Sequence, residues 1–496
     1  MSENHFLPFR NNIIGIDQTF PTPFGEKKMI YADWIASGRL YGPIEKTLLE
    51  KVFPFCGNTH TETSAVGTMM TLAYNESKEY IKKQVNAGPS DAIVFSGSGM
   101  TDSINKLQRI LGLRIPDAAS QHISNFKTKI QLNDEERPIV LVTHMEHHSN
   151  HTSWLETIAD VEIIEPDLEG NTDLNHLEFL LKKFQNRKLK IASITAASNV
   201  TGVITPYYSI AQLMHQAGGL CFVDFACSGP YVTIDMHPDD EDKRLDVVFI
   251  SPHKFLGGPA TPGVMVMNTS LCKNEIPDHA GGGTVKFTTP WKTHEYYANV
   301  EQREDGGTPA FLQGIKAALV FKLKSEMGVQ HILQRESEIL KTVFDKLKQI
   351  KNLHILAGNI EHRIGSVSFY IENLHFNLGV KLLNDYFGIQ VRGGCACAGT
   401  YGHYLLNIGQ EESKKILENI NQGNLSARPG WIRLSIHPTM TEAEIKFILD
   451  SIEYVAANHT QMSQDYKYVN HKNIFVHKHY QSQYESNFVH SLFYNT

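Results

Sequence analysis

Cysteine is scarce in this sequence, six residues in 496, and the six are too scattered to form a disulfide framework. No apolar run approaches the roughly 20 residues that a membrane span needs; stretches such as 247–250 and 264–267 are among the longest. An excess of basic charge is also missing. Lys and Arg number 46 against 53 Asp and Glu, for a net charge of −7, so neither nucleic acid nor an anionic membrane is an expected partner. The short basic runs at Lys182-Lys183 and at 187–190 read as solvated helix faces. Residues 1–10 lack the basic start and apolar run of a signal peptide. These absences predict a soluble, cytoplasmic protein.

What is present is a large apolar complement, 41% of the residues, enough for two or three domains. Short apolar runs at 92–95, 139–142, 161–164, 191–194, 220–223, 247–250 and 264–267 read as buried strands. Amphipathic stretches at 101–111, 174–183 and 209–217 lie between several of them. That alternation predicts a mostly parallel sheet flanked by helices, with ligands bound beyond the carboxyl ends of its strands. The pattern breaks near Gly306-Gly307-Thr308-Pro309. Long helical stretches follow at 311–326 and 330–349, then short strands at 366–371, 389–391 and 431–435, mixed with helices at 380–387 and 442–457. The expected organisation is an N-terminal segment (1–28) packing on the small domain, a large domain (29–310), a small α+β domain (311–457) and a His- and Tyr-rich tail (458–496).

The chemistry is read from residues placed just after strands. Asp224 ends one apolar run, and Ser251-Pro252-His253-Lys254-Phe255-Leu256-Gly257-Gly258 follows another. Singly, Asp224 reads as a turn cap and Lys254 as a solvated lysine. Together, a strand-tip Asp and a strand-tip Lys are what pyridoxal phosphate requires: an amine for the Schiff base and a carboxylate for the pyridine nitrogen. Three further segments support that reading. Phe95-Ser96-Gly97-Ser98-Gly99-Met100-Thr101 is a strand, a Gly-rich turn and a helix start that offers N–H groups and a hydroxyl to an anion. It is neither GxGxxG nor a P-loop. Met145-Glu146-His147-His148-Ser149-Asn150 supplies an imidazole to stack on a ring. His144, His147, His148 and His151 crowd together there, but without H-E-x-x-H spacing or a completing cysteine or carboxylate cluster, so no metal is expected. Ser198-Asn199-Val200-Thr201-Gly202 offers an amide for the 3-oxygen or a substrate carboxylate, and equally reads as a turn.

In order and character these segments resemble the fold-type I pyridoxal-phosphate enzymes of the class V aminotransferase family, most of all cysteine desulfurases and selenocysteine lyases. The resemblance runs from Tyr31-Ala32-Asp33 to about Leu449. It implies that Lys254 is the Schiff-base lysine, that Asp224 pairs with the pyridine nitrogen, that His147 stacks on the ring and that Asn199 lies at the 3-oxygen side. It implies that Met100, Thr101, Ser251 and His253 hold the phosphate. Thr308 would reach the phosphate of a neighbouring subunit, hence a homodimer. Arg392 and Arg433 would face the substrate carboxylate, with His60 also on the substrate side. One departure is Cys227, a weak donor where relatives commonly carry a polar group near the 3-oxygen.

The reaction is read from Val391-Arg392-Gly393-Gly394-Cys395-Ala396-Cys397-Ala398-Gly399. In desulfurases with short catalytic loops the nucleophilic cysteine comes five residues after the carboxylate-binding arginine, and counting from Arg392 gives Cys397. Cys395 is then an adjacent thiol, as in the similar pattern of molybdenum-cofactor sulfurases. The other reading is of two small packed cysteines beside a tight turn. The leading expectation is cleavage of the C–S bond of cysteine, or of a related sulfur or selenium amino acid, with a sulfur-acceptor protein as a possible further partner. Transamination, epimerisation or direct C–S lysis of another amino acid, and a non-catalytic scaffold of the same fold, are the alternatives.

Overall fold

The computed structural model describes residues 2–59, 61–122 and 132–494. Two compact units divide the chain. The larger comprises 37–198 and 204–329, and the smaller comprises 1–36, 199–203 and 330–496.

The larger unit is built on seven strands, all present in the sequence as short apolar runs: β1 Asp91–Ser96, β2 Ile139–Thr143, β3 Asp160–Ile164, β4 Lys190–Thr195, β5 Leu220–Asp224, β6 Val247–Ile250 and β7 Gly263–Asn268. Their order in the sheet is β1-β7-β6-β5-β4-β2-β3. β2 to β6 run parallel to one another, and only β7 is antiparallel to its neighbours β1 and β6. Every residue of β1, β2, β4 and β6 is buried, as expected of strands covered on both faces. The helix Met100–Ile110 shows how the covering works. Met100, Ile104, Leu107 and Ile110 recur at three- and four-residue spacing and join Val140, Val142, Trp154, Phe222 and Phe249 in one core.

The fold is thus an α/β fold-type I architecture, with a large, mostly parallel sheet flanked by helices. The boundary between the units falls after Val329, one helix beyond position 311 read from the sequence. Phe311–Met327 packs on the helix Ala65–Gln84 of the larger unit.

The smaller unit holds a four-stranded antiparallel sheet: β8 Leu353–Ile355, β9 Ser366–Ile371, β11 Arg392–Gly394 and β12 Trp431–Ser435, in the order β8-β9-β12-β11. A short strand, β10 Ile389–Gln390, pairs in parallel with Ile30–Tyr31. The N-terminal helix Ser2–Arg10 is tied down through Glu3, whose carboxylate accepts from buried Arg335 at 3.3 Å and from the Glu442 N–H at 2.7 Å. The tail has more order than its aperiodic sequence suggests. It forms a hairpin, β13 Tyr466–Val469 with β14 Ile474–His477, and a last helix Tyr484–Phe493. Among the described residues no helix is long and apolar enough to cross a membrane.

Candidate active site

The residues singled out in the sequence divide between the two units. Lys254, Asp224, His147, Met100, Thr101, Ser251, His253 and Thr308 belong to the larger unit; Asn199, Arg392, Arg433, Cys395 and Cys397 belong to the smaller. His60 lies outside the described residues.

In the larger unit, β6 ends at Ile250 and the chain turns through the 3-10 segment Pro252–Lys254. Asp224 ends the adjacent β5, registered with Phe249, so lysine and aspartate stand on neighbouring strand ends. The Lys254 turn is clamped on its outer side. Gly38 N–H donates to the His253 carbonyl at 2.9 Å, and a Cβ at Gly38 would lie 1.8 Å from the Phe255 carbonyl oxygen. Only glycine permits that approach. On the other side lies the turn that starts the helix Met100–Ile110. The Ser251 hydroxyl accepts from the Met100 N–H at 3.0 Å, and a Cβ at Gly99 would meet the His253 ring at 2.9 Å.

Asp224 is buried, and burial pushes its carboxyl up to about 6, against the pull of the Ala226 N–H at 2.7 Å and of the Lys254 charge. Its second oxygen has no hydrogen-bond donor among the described residues. His253 is pulled down to about 4, by burial first and then by the charge of Lys254. Its Nδ1 lies 2.8 Å from the Ser98 carbonyl, so its one proton is donated there. A bond from Nε2 to a phosphate therefore requires the imidazolium. His147 is fixed the other way round: its Nδ1 accepts from the Ser149 N–H at 3.1 Å, which leaves the proton on Nε2. The Ser149 hydroxyl joins Thr101 Oγ1 at 2.6 Å, linking this turn to the first turn of the helix.

Beneath it sits a residue not assigned a role from the sequence. Glu146 is buried and accepts from Thr143 Oγ1 (2.6 Å), Thr195 N–H (2.9 Å) and Asn150 Nδ2 (2.7 Å). It thereby ties the ends of β2 and β4 to the His147 turn. Burial pushes its carboxyl up to about 7 despite these donors. Cys227 donates to the Ala197 carbonyl at 2.8 Å.

These residues fit pyridoxal phosphate on three observations. A buried carboxylate has an oxygen lacking a donor, as a protonated pyridine nitrogen would supply. A helix N-terminus and two hydroxyls, Ser251 and Thr101, line an approach where glycine removes side chains. A partly buried lysine stands in the turn that follows the strand next to the one bearing the carboxylate.

The Asp224 shift has a measurable consequence for the cofactor-free protein. Burial raises it to about 6 in the folded state from 3.8 for a free aspartate, so between those values the folded state binds more protons than the unfolded one. Ionised Asp224 therefore destabilises the folded state in full above pH 6, by about 3 kcal/mol at most, and not at all below about pH 4. Cofactor-free Asp224→Asn is expected to gain urea stability over the parent at pH 7.5 and to lose most of that advantage by pH 4.5. An advantage independent of pH would show that Asp224 is not the titrating group.

In the smaller unit the two arginines are direct cross-strand partners, Arg392 of β11 opposite Arg433 of β12. Like charges so placed repel, and one carboxylate answers both. Asp33 Oδ1 accepts from Arg433 Nη2 at 2.6 Å and Asp33 Oδ2 from Arg392 Nε at 3.0 Å. Asp33 is positioned by backbone: Ala32 N–H bonds the Gln390 carbonyl at the end of β10, and Ser435 N–H, at the end of β12, bonds the Ala32 carbonyl. Arg433 is buried and also donates from Nη1 to the Asn199 carbonyl at 3.0 Å, whereas Arg392 is half exposed. Asp33→Ala leaves the buried Arg433 charge without its partner and is expected to lower unfolding stability by about 3 kcal/mol, read from urea denaturation. A loss below about 1 kcal/mol would mean that the pair is effectively solvated.

Asn199 closes the network. Its Nδ2 donates to the Ala396 carbonyl at 2.7 Å, and its Oδ1 is buried without a donor among the described residues. The donor expected at a pyridine 3-oxygen is thus engaged by the cysteine loop. That loop is a tight turn: Ala398 N–H bonds the Cys395 carbonyl at 3.0 Å, and both central residues, Ala396 (φ 49°) and Cys397 (φ 58°), are left-handed. This is the signature of a type I′ turn, which favours Asn and Gly. Non-glycine residues there cost about 1 kcal/mol or more each. The Cys397 thiol is exposed and that of Cys395 partly buried.

Fold and site define a fold-type I enzyme scaffold with a strand-tip lysine and a strained cysteine turn. The chain belongs to the class V aminotransferase family, whose model matches residues 30–448. Among curated relatives, one from Halalkalibacterium halodurans named "Probable cysteine desulfurase" is 26% identical over 75% of this chain and 84% of the relative. One of the same name from Staphylococcus epidermidis is 27% identical, with the same shares covered. Among solved structures, the cysteine desulfurase of Thermococcus onnurineus matches with a TM-score of 0.72 at 22% identity, over 91% of this chain and 98% of that one. The cysteine desulfurase CsdA of Escherichia coli matches at 0.67 and 18%, with the same coverage. Both solved structures speak for the fold.

Proposed function

We propose that this chain is a pyridoxal-phosphate-dependent cysteine desulfurase, which takes the sulfur of L-cysteine, or of a closely related sulfur or selenium amino acid, and leaves alanine. The observation that carries the reading is the strained turn at Ala396-Cys397, held by Asn199 and presenting an exposed thiol five residues after Arg392. Strain of this kind persists where the surroundings impose it, commonly at functional sites. The names of the curated relatives point the same way.

Bound pyridoxal phosphate supplies an electron sink for charge that develops at the substrate carbons. Lys254 is the residue that would hold it, and its amine would move the proton at the substrate Cα. Asp224 holds a proton at the ring nitrogen. His147, with its proton on Nε2, would hold the ring, and the helix start at Met100 with Thr101 and Ser251 would hold the phosphate. Arg392 is the more accessible guanidinium for the substrate carboxylate. Arg433 orients Asn199 and, through it, the cysteine turn. The Cys397 thiolate attacks the substrate sulfur: an S–S bond forms, the C–S bond breaks, and the departing electron pair stays with the substrate carbon, which becomes the methyl group of alanine after protonation. A persulfide remains on Cys397 for an acceptor protein or thiol.

The same reading has the enzyme act as a homodimer, with exposed Thr308 serving the phosphate of the neighbouring subunit. Light scattering after size exclusion is expected to give twice the chain mass, and a fully active monomer at assay concentration would remove this part of the proposal.

The test of the reaction is incubation of the cofactor-loaded protein with L-cysteine and a reducing thiol, with alanine and sulfide measured separately. Equimolar alanine and sulfide are expected. Pyruvate and ammonia in place of alanine would mark a direct lyase, and alanine formation that requires a keto-acid acceptor would mark a transaminase.

A further inference from the structure

The tail walls an open groove that the family likeness does not account for. Its walls include residues 467 and 474–482, beyond the matched region 30–448, facing the helix Phe376–Phe387 and residues 389–391. All of these lie in the smaller unit.

The volume is about 970 Å³, at the upper end of the range for small-ligand sites. Three lysines (381, 467 and 478) and two histidines (477 and 479) line it, and no Asp or Glu does among the described residues. Lys381 is paired with Asp385 at 2.8 Å, and the Lys478 ammonium donates to the Gln464 carbonyl, whereas Lys467 is exposed and has no partner among the described residues. The wall itself is informative. All four residues of β14, 474–477, contribute to it, followed by the loop residues 478–482, although successive side chains of a strand point to opposite faces. Unbroken lining therefore means that the backbone edge, not one face, is turned toward the groove. β14 pairs only with β13, and β10 only with the strand Ile30–Tyr31, so each has one edge without a strand partner among the described residues. Open edges accept an added strand through main-chain hydrogen bonds.

We propose that this groove binds an extended acidic peptide segment of a partner protein, its main chain adding to the open edge of β14 and its carboxylates meeting Lys467 and Lys478. The inference stands independently of the reaction proposed above. Its position gives it interest: residues 390 and 391 run directly into Arg392, so a docked segment lies beside the strand that leads to the cysteine turn.

The test uses the full-length protein and a fluorescein-labelled octapeptide of alternating Glu and Val, followed by fluorescence anisotropy. Saturable binding is expected, weakened about tenfold or more by the double variant Lys467→Glu/Lys478→Glu and lost when Lys replaces Glu in the peptide. Hydrogen exchange of the parent protein should slow on peptide addition at residues 389–391 and 474–482. No saturable binding, binding unchanged in the double variant, or protection confined to other segments would overturn the proposal. Full displacement of the peptide by millimolar inorganic phosphate or free glutamate would also overturn it, by showing a small-anion site. Desulfurase activity is not a readout, so failure here leaves the proposed reaction untouched.

Discussion

Lys254→Ala is expected to give a folded protein that holds pyridoxal phosphate only reversibly and turns over no amino acid. The lysine stands at the end of a buried strand, one strand from Asp224, in a turn clamped by Gly38 and packed against Gly99. Its own side chain is only partly buried, so alanine removes no core packing and the thermal unfolding temperature should stay near that of the parent. The chemical loss is large because the same amine both anchors the cofactor and moves the Cα proton. General acid–base catalysis alone is typically worth about 100- to 10,000-fold. After borohydride treatment and proteolysis, mass spectrometry should find the cofactor on the Lys254 peptide of the parent and on no peptide of the variant. A reducible link that survives in the variant would reassign the lysine.

Cys397→Ser is expected to cut alanine release from cysteine by roughly 100-fold or more while leaving cofactor content and substrate affinity close to those of the parent, because only C–S cleavage needs the thiolate. Serine is similar in size, and Asn199 holds the turn through the Ala396 backbone carbonyl rather than through the thiol, so the left-handed conformation should survive. Cys395→Ser is expected to be milder: that thiol is partly buried and begins the turn, whereas Cys397 is exposed and sits at its centre. A persulfide on Cys397 after incubation with cysteine, seen as the mass of one added sulfur on that peptide, is the direct readout. Parental rates in both serine variants would take the thiols out of the reaction and favour a direct lyase or a transaminase.

Much of this was legible along the chain. The central strands of the large sheet stood out as short apolar runs, because a strand buried on both faces has no polar face to disguise it; the edge strand β3, which carries Glu162, is only partly buried. The strand-tip position of Lys254 and Asp224 followed from where those runs ended. Less legible were features that depend on partners distant in sequence. Asp33 meets Arg433 across 400 positions and Arg392 across 359, and no local pattern announces a carboxylate that neutralises two arginines brought opposite each other by strand register. His253 was read as a phosphate donor, yet its single proton is donated to the Ser98 carbonyl, a geometry that residue type does not encode. The helix Phe311–Met327 was read as opening the smaller domain and packs with the larger instead, since helical periodicity defines an apolar face but not the core that face joins.

By itself, then, the sequence determined the α/β class, the lysine and aspartate at strand ends, and the position of a candidate thiol five residues after an arginine. Each of these is a matter of local composition and spacing, which short-range sterics and the burial of apolar runs translate directly into structure. Tertiary structure alone decided that Asp33 bridges both arginines, that Asn199 holds a left-handed cysteine turn, and that the aperiodic tail folds into a hairpin walling a cationic groove. Those depend on hydrogen bonds and charges whose strength is set by burial and register, quantities that exist only once distant segments have been packed together.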